Sequence, residues 1–271
     1  MADWPDPLCG HPRETLRRRG YRLRCERCGS FWDRKFMDRA FAYDAAYPEQ
    51  RGHFEARTGE LKVRSLERWL AAGAIDLARR VVCEVGFGGG HCLRYLTDRA
   101  AHVCGIEEIP ENLERARRLG IADVVPFERR SRLERPVDLW VFLDSFEHLP
   151  EPEGFLRWMS RTSAPNAMAL VVAPEAGSPS ERLLGPLWPH RIADHRFHWS
   201  RGGLRELFAR HGFALQREFP PRKNFSVATA VRHLAHKFPL LAGLGRAAAR
   251  LERFTLLGNV GEMGLVFRKI G

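Results

Sequence analysis

Short apolar runs alternate along most of the chain with longer stretches whose apolar residues lie three to four apart. The short runs predict buried strands, and the wider spacing predicts amphipathic helices. The predicted strands lie near 81–85, 103–107, 123–127, 138–143, 167–173, 213–219 and 262–268. The predicted helices lie over 61–72, after Gly90, over 110–119, and over 152–162 and 201–211. This alternation predicts an α/β fold built on a mostly parallel sheet.

A glycine-rich turn follows the first predicted core strand and contains Gly86, Gly88 and Gly90. Glycine allows a backbone to turn this tightly while a ligand approaches the main chain. The next strand ends about twenty residues later in Glu107, whose carboxylate suits a ribose diol. Because the two strand ends meet in one crevice, the pattern predicts a cofactor that contains a nucleoside.

An acid, Glu84, precedes the glycine turn and would repel the phosphates of a dinucleotide. It suits a cationic ligand, and S-adenosylmethionine carries both an ammonium and a sulfonium group. With its motifs at 81–90, 105–116 and 137–150, the sequence resembles the class I S-adenosylmethionine-dependent methyltransferases over residues 60–220. The resemblance implies a Rossmann-like, seven-stranded, mostly parallel sheet with helices on both faces. It also implies an antiparallel final pair of strands, and a C-terminal helical insertion before the last strand.

The resemblance also implies roles for individual residues in holding the cofactor. The glycine turn and the acid before it would bind the methionine part of the cofactor. The acids that end the second strand would bind the ribose, and the segment after the third strand would bind the adenine. An acid after the fourth strand completes the set. These residues are Glu84, Gly86, Phe87, Gly88 and Gly90, then Glu107 and Glu108, then Phe127 and Glu128, and finally Asp144. The adenine segment departs from the usual acid position, so its alignment stays open.

Four histidines are candidates for the base that removes a proton from the acceptor. His148 follows the fourth strand, and an imidazole titrates near neutral pH. His190, His195 and His198 lie in the segment 174–200, which we predict to be a substrate loop over the crevice. Alternatively, each of these histidines has a structural role, in which its imidazole caps or hydrogen-bonds backbone groups. A metal site of these histidines with Asp194 is not favoured, because the methyl donor is already activated.

The N-terminal segment 1–35 carries three cysteines in the spacing of a zinc ribbon, Cys9, Cys25 and Cys28. The first knuckle lacks its second cysteine, and either Asp6 or His11 could supply the fourth ligand of a structural zinc ion. A ribbon held by its apolar core without metal is the alternative. We divide the rest of the chain into a helical connector or lid over 36–60 and a methyltransferase domain over 61–271.

The net charge of +11 comes from the two ends of the chain, with +4 in residues 1–40 and +7 in residues 217–271. Any acidic partner should therefore meet the ends rather than the central domain. Basic amphipathic helices are predicted over 226–256, as a lid or a homodimer contact, with peripheral membrane contact as an alternative. The sequence shows no apolar run long enough to span a bilayer, and we expect a cytoplasmic protein.

These patterns predict methyl transfer from S-adenosylmethionine, most plausibly to an oxygen of a small-molecule or glycan intermediate, by in-line displacement. Orientation of the reacting atoms should dominate the rate enhancement. Two alternatives remain at this point. One is an RNA or protein methyltransferase that uses the basic termini, and the other is a cofactor-binding interaction module without turnover.

Overall fold

The computed structural model describes residues 4–37, 55–231 and 248–270. The strands are, in chain order, β1 Leu16–Arg19, β2 Arg22–Cys25, β3 Phe31–Asp33, β4 Val81–Val85, β5 His102–Glu107, β6 Val124–Pro126, β7 Val137–Leu143, β8 Ser163–Pro174, β9 Phe197–His198, β10 Phe213–Phe219, β11 Lys223–Ser226, β12 Thr255–Gly258 and β13 Glu262–Lys269. The α-helices are α1 Ala56–Ala72, α2 His91–Thr97, α3 Pro110–Arg118, α4 Pro152–Thr162, α5 Pro179–Leu184 and α6 Arg201–Arg210.

Seven strands form the central sheet in the order β10-β13-β8-β7-β4-β5-β6. The pairs among β8, β7, β4, β5 and β6 are parallel, and β13 pairs antiparallel with both β8 and β10. The centre of the sheet is fully buried, because its strands are apolar on both faces and helices cover each side. The predicted seven-stranded, mostly parallel sheet and its antiparallel final pair are confirmed.

Local sequence signals explain where several helices begin. Proline occupies the first turn of α3 and α4, where its missing N–H costs no helical hydrogen bond. Ser200 caps α6 by accepting a hydrogen bond from the backbone N–H of Gly203 at 3.0 Å. Helix α1 begins at Ala56, so the predicted boundary at residue 61 falls inside it.

A second sheet joins the N-terminal segment to the predicted substrate loop. Its order is β1-β2-β3-β9, and β9 belongs to the loop 174–200. Phe31 pairs with His198 and Trp32 with Phe197. Trp32 and Phe197 also belong to the hydrophobic core on one face of the central sheet. The ribbon is therefore joined to the loop 174–200 by strand pairing, a contact between distant segments that the sequence patterns did not predict.

A small antiparallel hairpin, β11 and β12, flanks the C-terminal insertion and was not predicted. Helical backbone begins at residues 227–231 and a short 3-10 helix spans Ala248–Leu251. Most of the connector 36–60 and of the insertion 226–256 lies outside the described residues. Within the ranges the structure describes, no helix is both long and apolar enough to cross a membrane.

Candidate active site and metal centre

The glycine turn between β4 and α2 has the left-handed backbone that its sequence predicts. Gly86, Gly88 and Gly90 have φ values of 71°, 54° and 76°, which are strained for residues with a side chain. A Cβ on Gly86 would also lie 2.6 Å from the Cβ of Ser145. The turn thus exposes main chain at the carboxyl end of β4, beside the loop that follows β7.

Glu84 lies at the end of β4 and lines a cavity of about 220 Å³ that also contacts Gly86 and Phe87. The side chain is buried, and its Oε2 accepts no hydrogen bond from any described residue. Burial raises the pKa of Glu84 to about 8. A buried carboxylate oxygen with nothing to bind fits a cationic group of a ligand, such as an ammonium.

Glu107 ends β5 next to the glycine turn, as predicted. Its Oε2 accepts a hydrogen bond from the backbone N–H of Gly88 at 2.7 Å, and its Oε1 accepts from those of Glu108 and Ile109. Burial raises the pKa of Glu107, although these hydrogen bonds oppose the shift. The carboxylate therefore fixes the turn, and each oxygen has two lone pairs, so Oε2 retains one for a ribose hydroxyl. The Glu108 side chain is exposed.

The adenine segment is the part of the predicted cofactor site with the least support in the geometry. Phe127 stacks on Phe155 with ring centroids 5.6 Å apart, and the guanidinium of Arg130 lies 4.7 Å from its centroid. Glu128 is exposed. Neither Phe127 nor Glu128 lines the cavity at Glu84, so their assignment to adenine stays a prediction.

Asp144, also a predicted cofactor residue, is paired with a lysine that sequence reasoning missed. Lys223 Nζ lies 2.9 Å from Asp144 Oδ2 and 2.8 Å from Glu262 Oε1, and His190 Nε2 lies 3.0 Å from the same Glu262 oxygen. Burial opposes both charges, yet the pairing raises the pKa of Lys223 and lowers that of Glu262 to about 2. Residues 79 positions apart meet here, and no local motif marks such a pair.

Glu147, His148 and His195 come together just beyond Asp144. One ligand atom from each lies within 4.8 Å of the others. His195 Nε2 is 3.7 Å from Glu147 Oε1, and the two imidazole centroids are 4.8 Å apart. Burial lowers the pKa of His195 well below its ordinary value and raises that of Glu147 well above it. Of the predicted bases, His148 and His195 thus share one cluster, and Glu147 is a member that sequence reasoning missed.

His198 has a different environment from the other candidate bases. It is 1% exposed, stacks on Phe31 with centroids 4.7 Å apart, and contacts the Trp188 ring at 5.2 Å. Burial lowers its pKa to about 3. These contacts favour a packing role for His198 at the junction between the ribbon and the loop.

The three ribbon cysteines converge with His11. Ligand atoms of Cys9, His11, Cys25 and Cys28 all lie within 4.8 Å of one another. His11 Nδ1 lies 3.2 Å from Cys25 Sγ, and its Nε2 lies 2.9 Å from Glu206 Oε2 of α6. A hydrogen bond with Cys9 lowers the pKa of Cys28 to about 5. Of the two candidates for fourth ligand, the geometry favours His11.

Asp6 lies outside this cysteine and histidine cluster. Its side chain is exposed, and its Oδ1 accepts a hydrogen bond from Arg13 Nε at 3.0 Å. The physical reason is local: the chain turns at Pro7–Gly10, where Gly10 N–H bonds to the Pro7 carbonyl. That turn brings Cys9 and His11 to the second knuckle together.

Buried polar contacts attach the ribbon to the predicted substrate loop. Asp33 accepts two hydrogen bonds from the guanidinium of Arg191, Nε to Oδ2 at 2.5 Å and the second at 3.1 Å. Ser30 Oγ accepts from the backbone N–H of Ser200, whose own hydroxyl donates to the Cys28 carbonyl. The metal-site knuckle and the loop therefore share one hydrogen-bonded unit.

A seven-stranded sheet in this order, with an acid-led glycine turn opening onto a cavity, defines the class I methyltransferase architecture. The family model described as a methyltransferase domain matches residues 54–218, more than half of the chain, and the protein belongs to this family.

Similar proteins support the same class. A probable tocopherol O-methyltransferase of chloroplasts, from Oryza sativa subsp. japonica, is 31% identical over 141 residues, which are 46% of this chain. The match spans only 39% of that relative's length.

Two solved structures share the fold. One is a chain in the complex of the Haloferax volcanii Trm112 methyltransferase activator with a methyltransferase, with TM-score 0.57, 16% identity and coverage of 85% of this chain and 100% of that one. The other, from Archaeoglobus fulgidus, is an S-adenosylmethionine-dependent methyltransferase with TM-score 0.54, 15% identity and coverage of 83% and 100%.

Proposed function

We propose that the protein transfers the methyl group of S-adenosylmethionine to a hydroxyl oxygen of a small-molecule or glycan acceptor. The observation that carries this proposal is the buried, unpartnered carboxylate oxygen of Glu84 in a crevice at the carboxyl ends of β4 and β7. The cofactor supplies an electrophilic methyl group on its sulfonium. The chain binds its ammonium at Glu84 and its ribose at Glu107, and so fixes the direction from which an acceptor approaches.

The covering of the crevice supports a small acceptor. Helix α1 contributes Leu61, Ser65 and Trp69 to the cavity wall, and β11 contributes Lys223 and Asn224. Ser65 Oγ accepts a hydrogen bond from the backbone N–H of Asn224 at 2.8 Å, which ties the two covering elements together. Transfer to oxygen is supported by the rice relative, an O-methyltransferase by description.

The test is transfer of isotopically labelled methyl groups to a panel of phenols, hydroxy acids and sugar derivatives, read by mass spectrometry. We expect labelled methyl ether products from at least one acceptor, with activity strongly reduced in Glu84→Gln. Glu114→Ala, on the exposed face of α3, is the matched control. Cofactor binding without transfer to any acceptor, RNA and protein included, would contradict the proposal and favour a binding module.

RNA is the second candidate acceptor, favoured by one specific feature of the ribbon. In the β1–β2 hairpin Arg17 lies opposite Arg24 and Arg19 opposite Arg22. Cross-strand like charges destabilise a hairpin. Arg22 is paired with the buried Glu181 at 2.5 Å, whereas Glu26 approaches Arg17 and Arg19 only at 3.5 and 3.9 Å.

Salt dependence distinguishes these two candidate acceptors. Phosphate contacts make RNA binding fall steeply as salt concentration rises, whereas a small neutral acceptor shows a shallow response. We expect the KM of the accepted small molecule to change little between low and physiological salt. Methylation of RNA with a steep salt dependence, lost on changing Arg17 and Arg24 together to Gln, would replace the first proposal by the second.

We also propose that Cys9, His11, Cys25 and Cys28 hold a structural zinc ion. Three thiolates and one imidazole are a common tetrahedral set for zinc. The His11 Nε2–Glu206 contact supports it, because histidine ligands usually donate their second N–H to a carboxylate. The ion would hold the knuckle whose Cys28 carbonyl binds Ser200 of the substrate loop.

A further inference from the structure

We propose that Glu147, His148 and His195 form a second metal site, distinct from the ribbon, that binds a divalent transition-metal ion on the acceptor side of the crevice. Two imidazoles and one carboxylate are a recurrent ligand set for such ions, and they leave coordination positions open. The three residues offer ligand atoms within 4.8 Å of one another. This inference rests on the proposed function only for the role of the ion, and not for its binding.

The tautomer of His195 is the first observation that points to a cation. His195 Nδ1 lies 2.9 Å from the carbonyl oxygen of His190, which can only accept, so Nδ1 carries the proton. In the neutral imidazole Nε2 therefore presents a lone pair. That lone pair faces Glu147 Oε1 across 3.7 Å. Two electron-rich atoms at this separation fit a metal ion between them, since nitrogen and oxygen ligands bind such ions at about 2.1 Å.

The state of Glu147 is the second, independent observation. Its side chain is 2% exposed, and neither carboxylate oxygen accepts a hydrogen bond from another described residue. A buried carboxylate in this condition is costly unless a proton or a cation neutralises it, and the electron-rich Nε2 beside it makes this position suitable for a cation. The backbone N–H of His195 donates to the Ile192 carbonyl at 3.1 Å, which fixes the turn that carries His195.

The position of the cluster gives the ion its role. Glu147 lies in the 3-10 turn Phe146–His148, three residues after Asp144, which lines the cofactor cavity; the three ligands themselves lie next to that lining and are not part of it. An acceptor hydroxyl bound there would lose its O–H proton to solvent more readily, as water does on a metal ion. The oxygen lone pair would then form the new O–C bond while the C–S bond breaks and the thioether leaves. The objection that the methyl donor needs no Lewis acid does not apply, because the ion acts on the acceptor.

The test is a Co²⁺ titration of the full-length protein with its ribbon metal retained, without methyl donor or acceptor. We expect one added Co²⁺ per chain, with visible d–d absorption but no thiolate charge-transfer band. Glu147→Gln and His195→Gln should each weaken this binding at least about tenfold, since even outer partners of a metal site contribute that much. His211→Gln, a half-buried histidine outside the cluster, should leave it unchanged.

Two results would overturn the inference: no Co²⁺ spectrum beyond that of the ribbon in the parent, or undiminished binding in both cluster variants. If the variants fail to fold, the parent protein alone provides the test. A bound ion must raise the thermal unfolding midpoint of the parent by mass action. Methyl transfer that proceeds unchanged without any bound divalent ion would reject the ion's role in catalysis. Metal binding that is intact in a protein with no transferase activity would instead reject the proposed function.

Discussion

At the scale of single residues, Glu84 is the main evidence for a cofactor site. It is a buried acid whose Oε2 has no described hydrogen-bond donor, and burial raises its pKa to about 8. Because this pKa lies above its ordinary value of 4.5, the ligand-free protein loses stability as the pH rises from about 4.5 to 8, since the unfolded chain releases the Glu84 proton in this range while the folded chain retains it. A bound ammonium reverses that preference and favours the carboxylate.

Cofactor binding near pH 7 should therefore release a proton from Glu84, and affinity should increase as the pH approaches 8. Calorimetric titration in buffers of different ionisation enthalpy measures the released fraction directly. Glu84→Gln should abolish the release and weaken binding by about 2 kcal/mol, the value of a hydrogen bond to a charged group. Proton release that is the same in parent and variant would show that another group is linked to binding.

The fourth ligand of the ribbon is the second question at this scale. His11→Ala should lower the zinc content of the purified protein and weaken zinc retention against a chelator, because it removes an atom of the cluster. Asp6→Ala should retain the parent's zinc, since Asp6 is exposed and paired with Arg13. Elemental analysis of both variants decides between them. Zinc loss in Asp6→Ala but not in His11→Ala would show that Asp6, and not His11, is the fourth ligand.

At the scale of elements, the main finding is that the ribbon and the acceptor loop share one sheet. Strand β9 joins β3, and the buried Asp33–Arg191 pair locks the loop against the ribbon. The oxygens of Asp33 are fully buried, whereas Arg191 is 15% exposed. Breaking such a pair leaves an uncompensated charge, which is more costly than the loss of an exposed ion pair.

Asp33→Ala should lower the free energy of unfolding by about 3 kcal/mol and raise the KM for the acceptor, with little change in cofactor affinity. The reason is that the loop 174–200 loses its anchor while the glycine turn is untouched. Asp98→Ala is the control, since its 3.2 Å pair with Arg94 is half-exposed and should contribute less than about 1 kcal/mol. Denaturant unfolding and steady-state kinetics provide the two readouts. If both variants changed the KM for the acceptor equally, the pair that anchors the loop to the ribbon would have no specific role in acceptor binding.

Sequence patterns predicted the elements well wherever local signals sufficed. The predicted strand 213–219 and helix 152–162 have the observed bounds, because buried phenylalanines mark the two ends of the strand and a proline marks the start of the helix. Strand β9 is only two residues long, and its pairing with β3 depends on tertiary contacts, so no periodicity could show it. For the same reason, the glycine turn and its neighbour Glu107 could be located from local motifs, whereas the contact of Lys223 with Glu262 could not.

At the scale of the whole molecule, one hydrophobic core joins the ribbon to a face of the methyltransferase sheet. That core includes Leu16 and Leu23 of the ribbon together with Phe142 and Phe208 of the sheet and its helices. The ribbon, the loop 174–200 and the central sheet are thus parts of one packed unit. We expect loss of ribbon metal to affect acceptor binding more than cofactor binding, because β9 and Ser200 contact the ribbon and the glycine turn does not.

The central claim is that this chain binds S-adenosylmethionine in the crevice at β4 and β5. Calorimetric titration with S-adenosylmethionine and its demethylated product, on the parent, Glu107→Ala and the exposed control Glu114→Ala, tests it most directly. The account predicts one site per chain in the parent and the control. It also predicts strongly weakened binding in Glu107→Ala, which removes both a ribose partner and the acceptor for Gly88 N–H. A folded parent that binds neither compound, or binding unchanged in Glu107→Ala, would contradict the account.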